Sequence, residues 1–291
     1  MTSFQKGILS AVIAQILWGL FPIYWKWLDH VNSIEILSHR TFWCAVFLSF
    51  LVLLMAERRA IVRQVLSSKT EIGRHLISSC LIAANWLVYI WAVNNNHVID
   101  ASLGYFLSPL VSVILGYLVF SERLNILQWS AVVLAATGVV VMTIASGVVP
   151  WIGLALAFTF GTYGMARKKA STGPINGLFV ETLLLVPVSL IAMYWLSHNG
   201  DLTYQNPLNP TELLLVLAGL VTAIPLVLYA QGARSLPLSF SGLLVFITPS
   251  IQFLIGWLYY KETILMASWL GFACIWLALV LYSFALARKA R

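Results

Sequence analysis

The sequence predicts an all-α polytopic membrane protein, with ten transmembrane helices in two inverted five-helix repeats. Three observations predict this fold class. Hydrophobic residues make up 60% of the 291 positions and charged residues only 9%, and the mean hydropathy is +0.90. Uncharged runs of about 20 residues, the length that crosses a bilayer, recur along the chain. One apolar stretch also occurs twice.

Four uncharged runs, 7–25, 101–121, 213–233 and 263–287, are each long enough for a membrane-spanning helix. A water-soluble core could not hide so much apolar surface, whereas a bilayer accepts it. The net charge of +7 does not indicate a nucleic-acid partner, because the Lys and Arg residues are confined to a subset of the loops. The three cysteines lie in apolar runs at unrelated spacings, which indicates neither a disulfide framework nor a zinc site.

The duplicated stretch is 109–122 (PLVSVILGYLVFSE), which returns as 249–262 (PSIQFLIGWLYYKE). We interpret it as part of an internal duplication, with a first repeat at 1–147 and a second at 148–291. The common offset of 140 positions aligns Tyr89 with Tyr229, Ser108 with Thr248, Pro109 with Pro249, Gly116 with Gly256, Glu122 with Glu262 and Trp129 with Trp269.

Ten spans are predicted, at 7–27, 33–55, 75–96, 101–120, 125–145, 150–167, 174–197, 211–232, 237–259 and 264–286. Of the 17 Lys and Arg residues, all but Lys26, Arg40 and Lys261 fall on the side of the N-terminus. This bias predicts that both termini are cytoplasmic. Because each repeat holds an odd number of spans, the second must be inverted relative to the first, an arrangement typical of secondary carriers.

Several segments resemble the RarD permeases, which belong to the EamA family of the drug/metabolite transporter superfamily. The similar segments are LWGLFPIYWK, EILSHR, NWLVYIWAVNNNHVIDASLGYFLSPLVSVILGYLVFSERL, TYGMARKK, LFVETLLLVP and LPLSFSGLLVFITPSIQFLIGWLYYKE. Together they extend from about residue 6 to residue 286. The resemblance implies a ten-helix inner-membrane permease and, by analogy, an exporter. The family carries a chloramphenicol-sensitivity label, but these motifs do not encode a substrate.

Arg40 and Glu181 are ionisable groups inside predicted spans. Such a group costs about 2.5–3.5 kcal/mol at a helix centre, so it faces a partner or an aqueous cavity. Two interpretations stay open: a static ion pair between the two, or binding of substrate and coupling of its movement to protons. His39, next to Arg40, is either a polar anchor near the membrane surface or a proton relay.

Other candidate substrate-binding residues are polar or aromatic side chains deep in the spans. Buried amides must satisfy their hydrogen-bonding groups, and aromatic rings can stack on a ligand. These candidates are Asn85, Trp86, Tyr89, Tyr105, Ser108, Tyr229, Thr248 and Gln252. Trp25, Trp27, Trp151 and Trp195 are instead predicted in the interfacial aromatic belts.

Pro109 and Pro249 are predicted to interrupt their spans, because proline lacks an N–H and clashes with the preceding turn. The carbonyls of Tyr105 and Val245, four residues earlier, would then be free for a ligand. Paired breaks in two repeats indicate the binding region of a carrier, although an ordinary kink is an equally good interpretation. The glycines of the same spans, Gly116 and Gly256, are predicted as helix-packing or hinge positions.

The predicted function is secondary transport of small metabolites or drug-like molecules, by alternating access and with or without proton coupling. The partners expected are a small-molecule substrate and the lipid bilayer, and the protein is expected to be a monomer or a homodimer. No phosphate-binding loop, HExxH or CxxC motif occurs, so neither an enzyme, a cofactor nor a metal is expected. The alternative is an intramembrane lipid-modifying enzyme that uses Glu181, His39 and Arg40.

Overall fold

The computed structural model describes residues 3–120, 124–169, 172–204, 209–235 and 244–289, and every regular element within these ranges is a helix. The helices are α1 (Ser3–Gly19), α2 (Phe21–Lys26), α3 (Ser33–Leu53), α4 (Ala56–Leu66), α5 (Lys69–Asn94), α6 (Val98–Phe120), α7 (Ile126–Ser146), α8 (Trp151–Lys169), α9 (Pro174–His198), α10 (Pro210–Ser235), α11 (Ile247–Leu254), a π-helix (Ile255–Tyr259) and α12 (Met266–Lys289).

Eight helical segments among the described residues are long and apolar enough to cross a membrane. Each coincides with one of the predicted spans, and the all-α polytopic fold class is therefore confirmed. The two other predicted spans correspond to α8 and to 237–259, and residues 237–243 of the latter lie outside the described residues. The total of ten spans stays a prediction.

The short helix α4 was not predicted and lies in what the sequence indicated to be a loop. It buries Val62 and Val65, and Arg58 Nη1 donates a hydrogen bond to Asn176 Oδ1 at 3.3 Å. A search for long uncharged runs overlooks such a helix, because its apolar face is narrow and its other faces are charged. The next helix, α5, also begins before the predicted residue 75, since Ser68 caps it by accepting from the N–H of Glu71.

Pro22 and Pro109 each deprive the backbone carbonyl four residues earlier of its helical hydrogen-bond donor. Pro22 separates α2 from α1 and leaves the carbonyl of Trp18 without its helical donor, and Gln252 Nε2 donates to that carbonyl at 3.1 Å. Pro109 lies inside the continuous helix α6. There Ser108 Oγ donates to the carbonyl of Tyr105 at 3.1 Å, so the expectation that this carbonyl is left for a ligand does not hold.

Pro249 does not interrupt a helix, contrary to the sequence-based expectation. It is the third residue of α11, which begins at Ile247. In the first turn of a helix the N–H groups have no intrahelical partner, so proline removes no hydrogen bond there. The break in this span lies earlier, at the turn formed by Val245 and Phe246.

Most of the helix packing joins the N-terminal half (α1–α7) to the C-terminal half (α8–α12). Helix α1 packs on α10 and α11, α3 on α9 and α10, α5 and α6 on α8, and α7 on α12. No described residue of α4, α7, α12 or the π-helix lines the central cavity described below. Its lining residues come from α1, α2, α3, α5, α6, α8, α9, α10, α11 and the turn before α11.

Candidate functional site

A cavity of about 340 Å³ lies between the two halves of the molecule. Nine residues predicted from the sequence as substrate-binding line it: Arg40, Asn85, Trp86, Tyr89, Tyr105, Ser108, Tyr229, Thr248 and Gln252. The other lining residues are Gln15, Trp18, Phe21, Ile82, Phe160, Tyr163, Leu178, Thr222, Leu226, Val245 and Pro249. The wall is therefore mostly aromatic and aliphatic, with a few polar groups.

Among the described residues that line the cavity, Arg40 on α3 is the charged one, and it is 3% exposed. Its Nε donates to Thr222 Oγ1 on α10 at 2.9 Å. The guanidinium carbon lies 4.0 Å from the ring centroid of Trp86 and 5.0 Å from that of Trp25. Its Nη1 atom is buried without a hydrogen-bond partner among the described residues. Two aromatic rings and one hydroxyl thus hold the cation in place, and part of its hydrogen-bonding capacity is unused.

The amides of Gln15 and Gln252 connect α1 to α11 at the cavity wall. Gln252 Nε2 donates to Tyr89 Oη at 2.9 Å, in addition to its bond to Trp18. Thr248 Oγ1 lies 2.7 Å from Gln15 Oε1 and 2.9 Å from the Gln15 carbonyl. A hydrogen-bonded seam therefore joins the two halves along this side.

A third amide, that of Asn85 on α5, forms a corresponding seam with α8. Its Nδ2 donates to the Leu156 carbonyl at 3.1 Å and to Thr159 Oγ1 at 2.9 Å. Its Oδ1 accepts from Tyr105 Oη at 3.2 Å. The amide makes three hydrogen bonds although it is buried in the bundle, which explains how a polar residue is tolerated at this depth.

Aromatic rings form a continuous row along the cavity. The ring centroids of Tyr89 and Tyr105 are 5.6 Å apart, those of Tyr105 and Phe160 are 5.8 Å apart, and those of Phe160 and Tyr163 are 6.1 Å apart. These are normal distances for tilted and edge-to-face aromatic pairs. The row presents an apolar surface to any molecule in the cavity.

Glu181 on α9 does not line the cavity and does not pair with Arg40. It is fully buried, and its carboxylate accepts from Ser78 Oγ at 2.6 Å and from Tyr163 Oη at 3.1 Å. Arg167 Nη1 lies 3.3 Å away. A static Arg40–Glu181 pair, one of the two interpretations left open by the sequence, is therefore not formed.

The surroundings of Glu181 also include His75, whose Nδ1 lies 3.8 Å from the carboxylate. We name Ser78, His75, Tyr163, Arg167 and Glu181 the Glu181 cluster. Tyr163 alone among them also lines the cavity, so it is the link between the cluster and the cavity. Within the described parts of the chain, no group of three or more His, Cys, Asp or Glu side chains is arranged to hold a metal ion.

His39 and Trp25 differ from their predicted surroundings. His39 does not line the cavity; its ring packs at a tilt against that of Tyr204 with centroids 4.7 Å apart, and its Nδ1 accepts from Trp43 Nε1 at 3.3 Å. The prediction of Trp25 in the interfacial belt is wrong, because its side chain is fully buried beneath Arg40. The other three predicted belt residues are exposed: Trp27, Trp151 and Trp195.

Glu262 joins the two halves at one end of the bundle. Its carboxylate accepts from the backbone N–H groups of Val98 and Ile99, both at 2.8 Å, and so caps the start of α6. Burial raises the pKa of the Glu262 carboxyl, although the two N–H donors act in the opposite direction. The predicted hinge residues Gly116 and Gly256 are buried and do not line the cavity; Gly256 packs on Ile99.

Comparison with known proteins identifies the family. The sequence model of the EamA-like transporter family matches this chain twice, at residues 5–144 and 149–284. The chain belongs to this family. Its EamA relatives include the protein RarD of Streptomyces exfoliatus, with 41% identity over 99% of this chain and 91% of the relative. The uncharacterized transporter YojE of Bacillus subtilis is 40% identical over 97% of this chain and 94% of the relative.

A third EamA relative, the protein RarD of Escherichia coli, is 37% identical over 96% of this chain and 94% of the relative. A solved crystal structure matches 99% of both chains with a TM-score of 0.58 and 17% identity, and this likeness concerns the fold alone. The EamA chain described here is thus a multi-pass membrane protein of a transporter family, similar over nearly its whole length to proteins named as transporters or as RarD.

Several cavity residues of this EamA chain were missed from the sequence, although a signal for them existed. Leu226 lies 140 positions after Trp86, which was predicted from the sequence. Applying the repeat offset to each predicted residue would have added the partner position in the other half. Gln15 could have been found by the reasoning used for Gln252, since both are amides inside an apolar span.

Proposed function

We propose that this EamA-family protein is a secondary transporter of the bacterial inner membrane that exports small organic molecules by alternating access between two inverted repeats. The observation that carries the proposal is the central cavity between the two halves, which receives residues from equivalent positions of both. A site built in this way can be exposed first to one side of the membrane and then to the other as the halves rock.

Five pairs of cavity residues are separated by the repeat offset of 140 positions. They are Ile82 and Thr222, Trp86 and Leu226, Tyr89 and Tyr229, Tyr105 and Val245, and Ser108 and Thr248. Two further pairs, Trp18 with Phe160 and Phe21 with Tyr163, follow an offset of 142 positions. The cavity therefore has a wall from each repeat, as expected for a site on a pseudo-twofold axis.

The helix packing supports the same twofold relation. The contact of α1 with α10 has its counterpart in that of α8 with α5, and the contact of α6 with α8 has its counterpart in that of α11 with α1. Helices α3 and α9 pack on each other, as do α7 and α12, and each of these pairs consists of equivalent helices. Exchange of the two halves maps these contacts onto one another.

The Glu181 cluster is our candidate for proton coupling. Tyr163 donates to Glu181 and lines the cavity, so a change at the carboxylate can alter the cavity wall through a single hydrogen bond. A transporter that uses a proton gradient needs an ionisable group with such a connection. The surrounding hydroxyl, imidazole and guanidinium groups provide partners for both protonation states.

The structure gives little support to the alternative of a lipid-modifying enzyme. That function required Glu181, His39 and Arg40 to act together at one surface. In the described structure these three side chains contact different residues. Glu181 contacts the other members of the Glu181 cluster, and His39 contacts Tyr204 and Trp43. Arg40 contacts Thr222 and the surrounding aromatic rings.

The proposed function is tested by comparing the metabolites released by a strain that overproduces the protein with those released by a deletion strain. We expect one group of small molecules to accumulate outside the overproducing cells. Gln252→Leu removes the amide that bonds Trp18 and Tyr89 and should reduce this release about tenfold, since a buried unpaired polar group costs about 1–3 kcal/mol. Gln64→Leu makes the same chemical change at an exposed site on α4 and should leave release unchanged. Identical release from the two strains would contradict the proposal.

A further inference from the structure

We propose that the central cavity selects small organic anions and that Arg40 binds their charged group; this inference rests on the transport function proposed above. The observation that carries it is a buried cation without a matching carboxylate. Arg40 is 3% exposed, its Nη1 is buried without a hydrogen-bond partner among the described residues, and the side chain lines the cavity. A charge removed from water in this way is costly unless a partner of opposite sign arrives.

The surroundings of Arg40 fix its orientation and leave one edge for a ligand. Thr222 accepts from Nε at 2.9 Å, while Trp86 covers one face of the guanidinium with its ring centroid 4.0 Å away. The terminal edge, which includes Nη1, is not used by these contacts. That edge is the part of a guanidinium that binds a carboxylate or a phosphate through two parallel hydrogen bonds.

None of the described residues that line the cavity neutralises Arg40. No Asp or Glu is among the described residues that line it. Glu181, which lies seven residues after the start of α9 as Arg40 does in α3, is engaged by Arg167 at 3.3 Å and by the hydroxyl groups of Ser78 and Tyr163. The cavity is therefore positive, and it favours an anion over a neutral molecule or a cation of the same shape.

The rest of the wall defines the body of the ligand. The row of Tyr89, Tyr105, Phe160 and Tyr163 and the facing pair of Trp18 and Tyr229, whose ring centroids are 5.5 Å apart, provide flat apolar surfaces. A volume of about 340 Å³ is at the small end of ligand pockets. The chemistry of the cavity fits a compact molecule with one carboxylate or phosphate and an apolar or aromatic body.

The test uses three probes with the same ring and different charge: indole-3-acetate, indole-3-acetamide and tryptamine. Binding of each is measured by calorimetry on the purified full-length protein in lipid nanodiscs. We expect indole-3-acetate to bind at least about tenfold more tightly than the other two, because a hydrogen-bonded pair of opposite charges is stronger than a hydrogen bond to a neutral group. Equal affinities, or no binding of any probe at millimolar concentration, would overturn the proposal.

Variants at Arg40 separate charge recognition from a loss of folding. Arg40→Met should remove the advantage of indole-3-acetate and leave the affinity for indole-3-acetamide nearly unchanged, whereas a structural defect would weaken both. Arg40→Lys should retain part of the preference. Arg59→Met, which removes a cation from an exposed position of α4, is the matched control and should bind all three probes as the wild type does. If Arg40→Met still prefers indole-3-acetate, another group binds the charged end of the ligand and the proposal is wrong.

An inorganic anion is the other source of a negative charge for this site. Competition of indole-3-acetate by sodium benzoate and by sodium chloride distinguishes the two, and we expect benzoate to compete at far lower concentration. Equal competition by chloride would assign the site to inorganic anions and overturn the organic ligand. Binding is measured separately from transport, so the two proposals can fail independently. Selective anion binding without any released metabolite would contradict only the transport function. Release of neutral molecules without selective anion binding would contradict only this inference.

Discussion

Arg40 and Glu181 lie at the same distance from the start of their helices and have opposite charges. Arg40 lies seven residues after Ser33, the first residue of α3, and Glu181 lies seven residues after Pro174, the first residue of α9. Their surroundings have diverged. Arg40 faces the cavity among aromatic rings, while Glu181 is surrounded by hydrogen-bond donors. We therefore assign them different roles, the first in binding and the second in coupling.

The coupling role predicts that Glu181→Gln makes transport insensitive to pH. Glutamine keeps the shape of the side chain and an acceptor for Ser78 or Tyr163, but it neither gains nor loses a proton. In proteoliposomes the wild-type rate should change with the pH difference across the membrane, and the rate of the variant should not. Glu57→Gln, at an exposed position of α4, should behave as the wild type. An unchanged pH dependence in Glu181→Gln would remove Glu181 as the coupling group.

Glycines determine how closely the helices of the two halves approach. A Cβ added to Gly219 on α10 would lie 2.5 Å from the backbone nitrogen of Cys44 on α3, which is too close for two non-bonded atoms. Backbone cannot move aside as a flexible side chain can, so the helices would have to separate. Thr222, one turn further along α10, would then lose its place beside Arg40.

Gly219→Ala should therefore lower the free energy of unfolding by about 2 kcal/mol, the usual cost of inserting a methyl group into a packed interior. Gly73→Ala is the matched control, because a Cβ at Gly73 would meet no atom within 4 Å. There the better helix propensity of alanine should raise the free energy by up to about 1 kcal/mol. Unfolding in detergent with increasing SDS measures both. Equal stability of the two variants would contradict the close approach of α3 and α10.

At the level of single helices, hydrophobic runs predict long spans well and short or polar elements poorly. The runs located α3, α6 and α7 within a few residues. They missed α4, whose stability comes from burying Val62 and Val65 and not from its composition. They also could not show that Ser108 would supply the hydrogen bond lost at Pro109, since that depends on the rotamer of one side chain.

The two repeats explain why much of the candidate site was visible in the sequence. Tyr229 and Thr248 were found because they match Tyr89 and Ser108 in chemical type as well as in position. Leu226 was missed although its partner Trp86 was predicted, because an aliphatic side chain in an apolar span gives no polar or aromatic signal. The contacts of Glu181 with Ser78 and Arg167 were not predictable from the sequence. They depend on how α5, α8 and α9 pack, and the spacing of apolar residues does not predict that packing.

The central claim about the whole molecule is that the second repeat crosses the membrane in the opposite sense to the first. Asn95 follows α5 and Ser235 ends α10, and the two lie 140 positions apart. Single cysteines at these sites are introduced by Asn95→Cys and Ser235→Cys after replacement of Cys44, Cys80 and Cys274. Labelling with a membrane-impermeant maleimide then reports which side each occupies.

We predict that Asn95→Cys is labelled in intact spheroplasts and that Ser235→Cys is labelled only in inside-out vesicles. The unmodified cysteine-free protein, treated in parallel, gives the background. Labelling of both positions from the same side of the membrane would contradict the inverted repeat, and with it the alternating access of the central cavity.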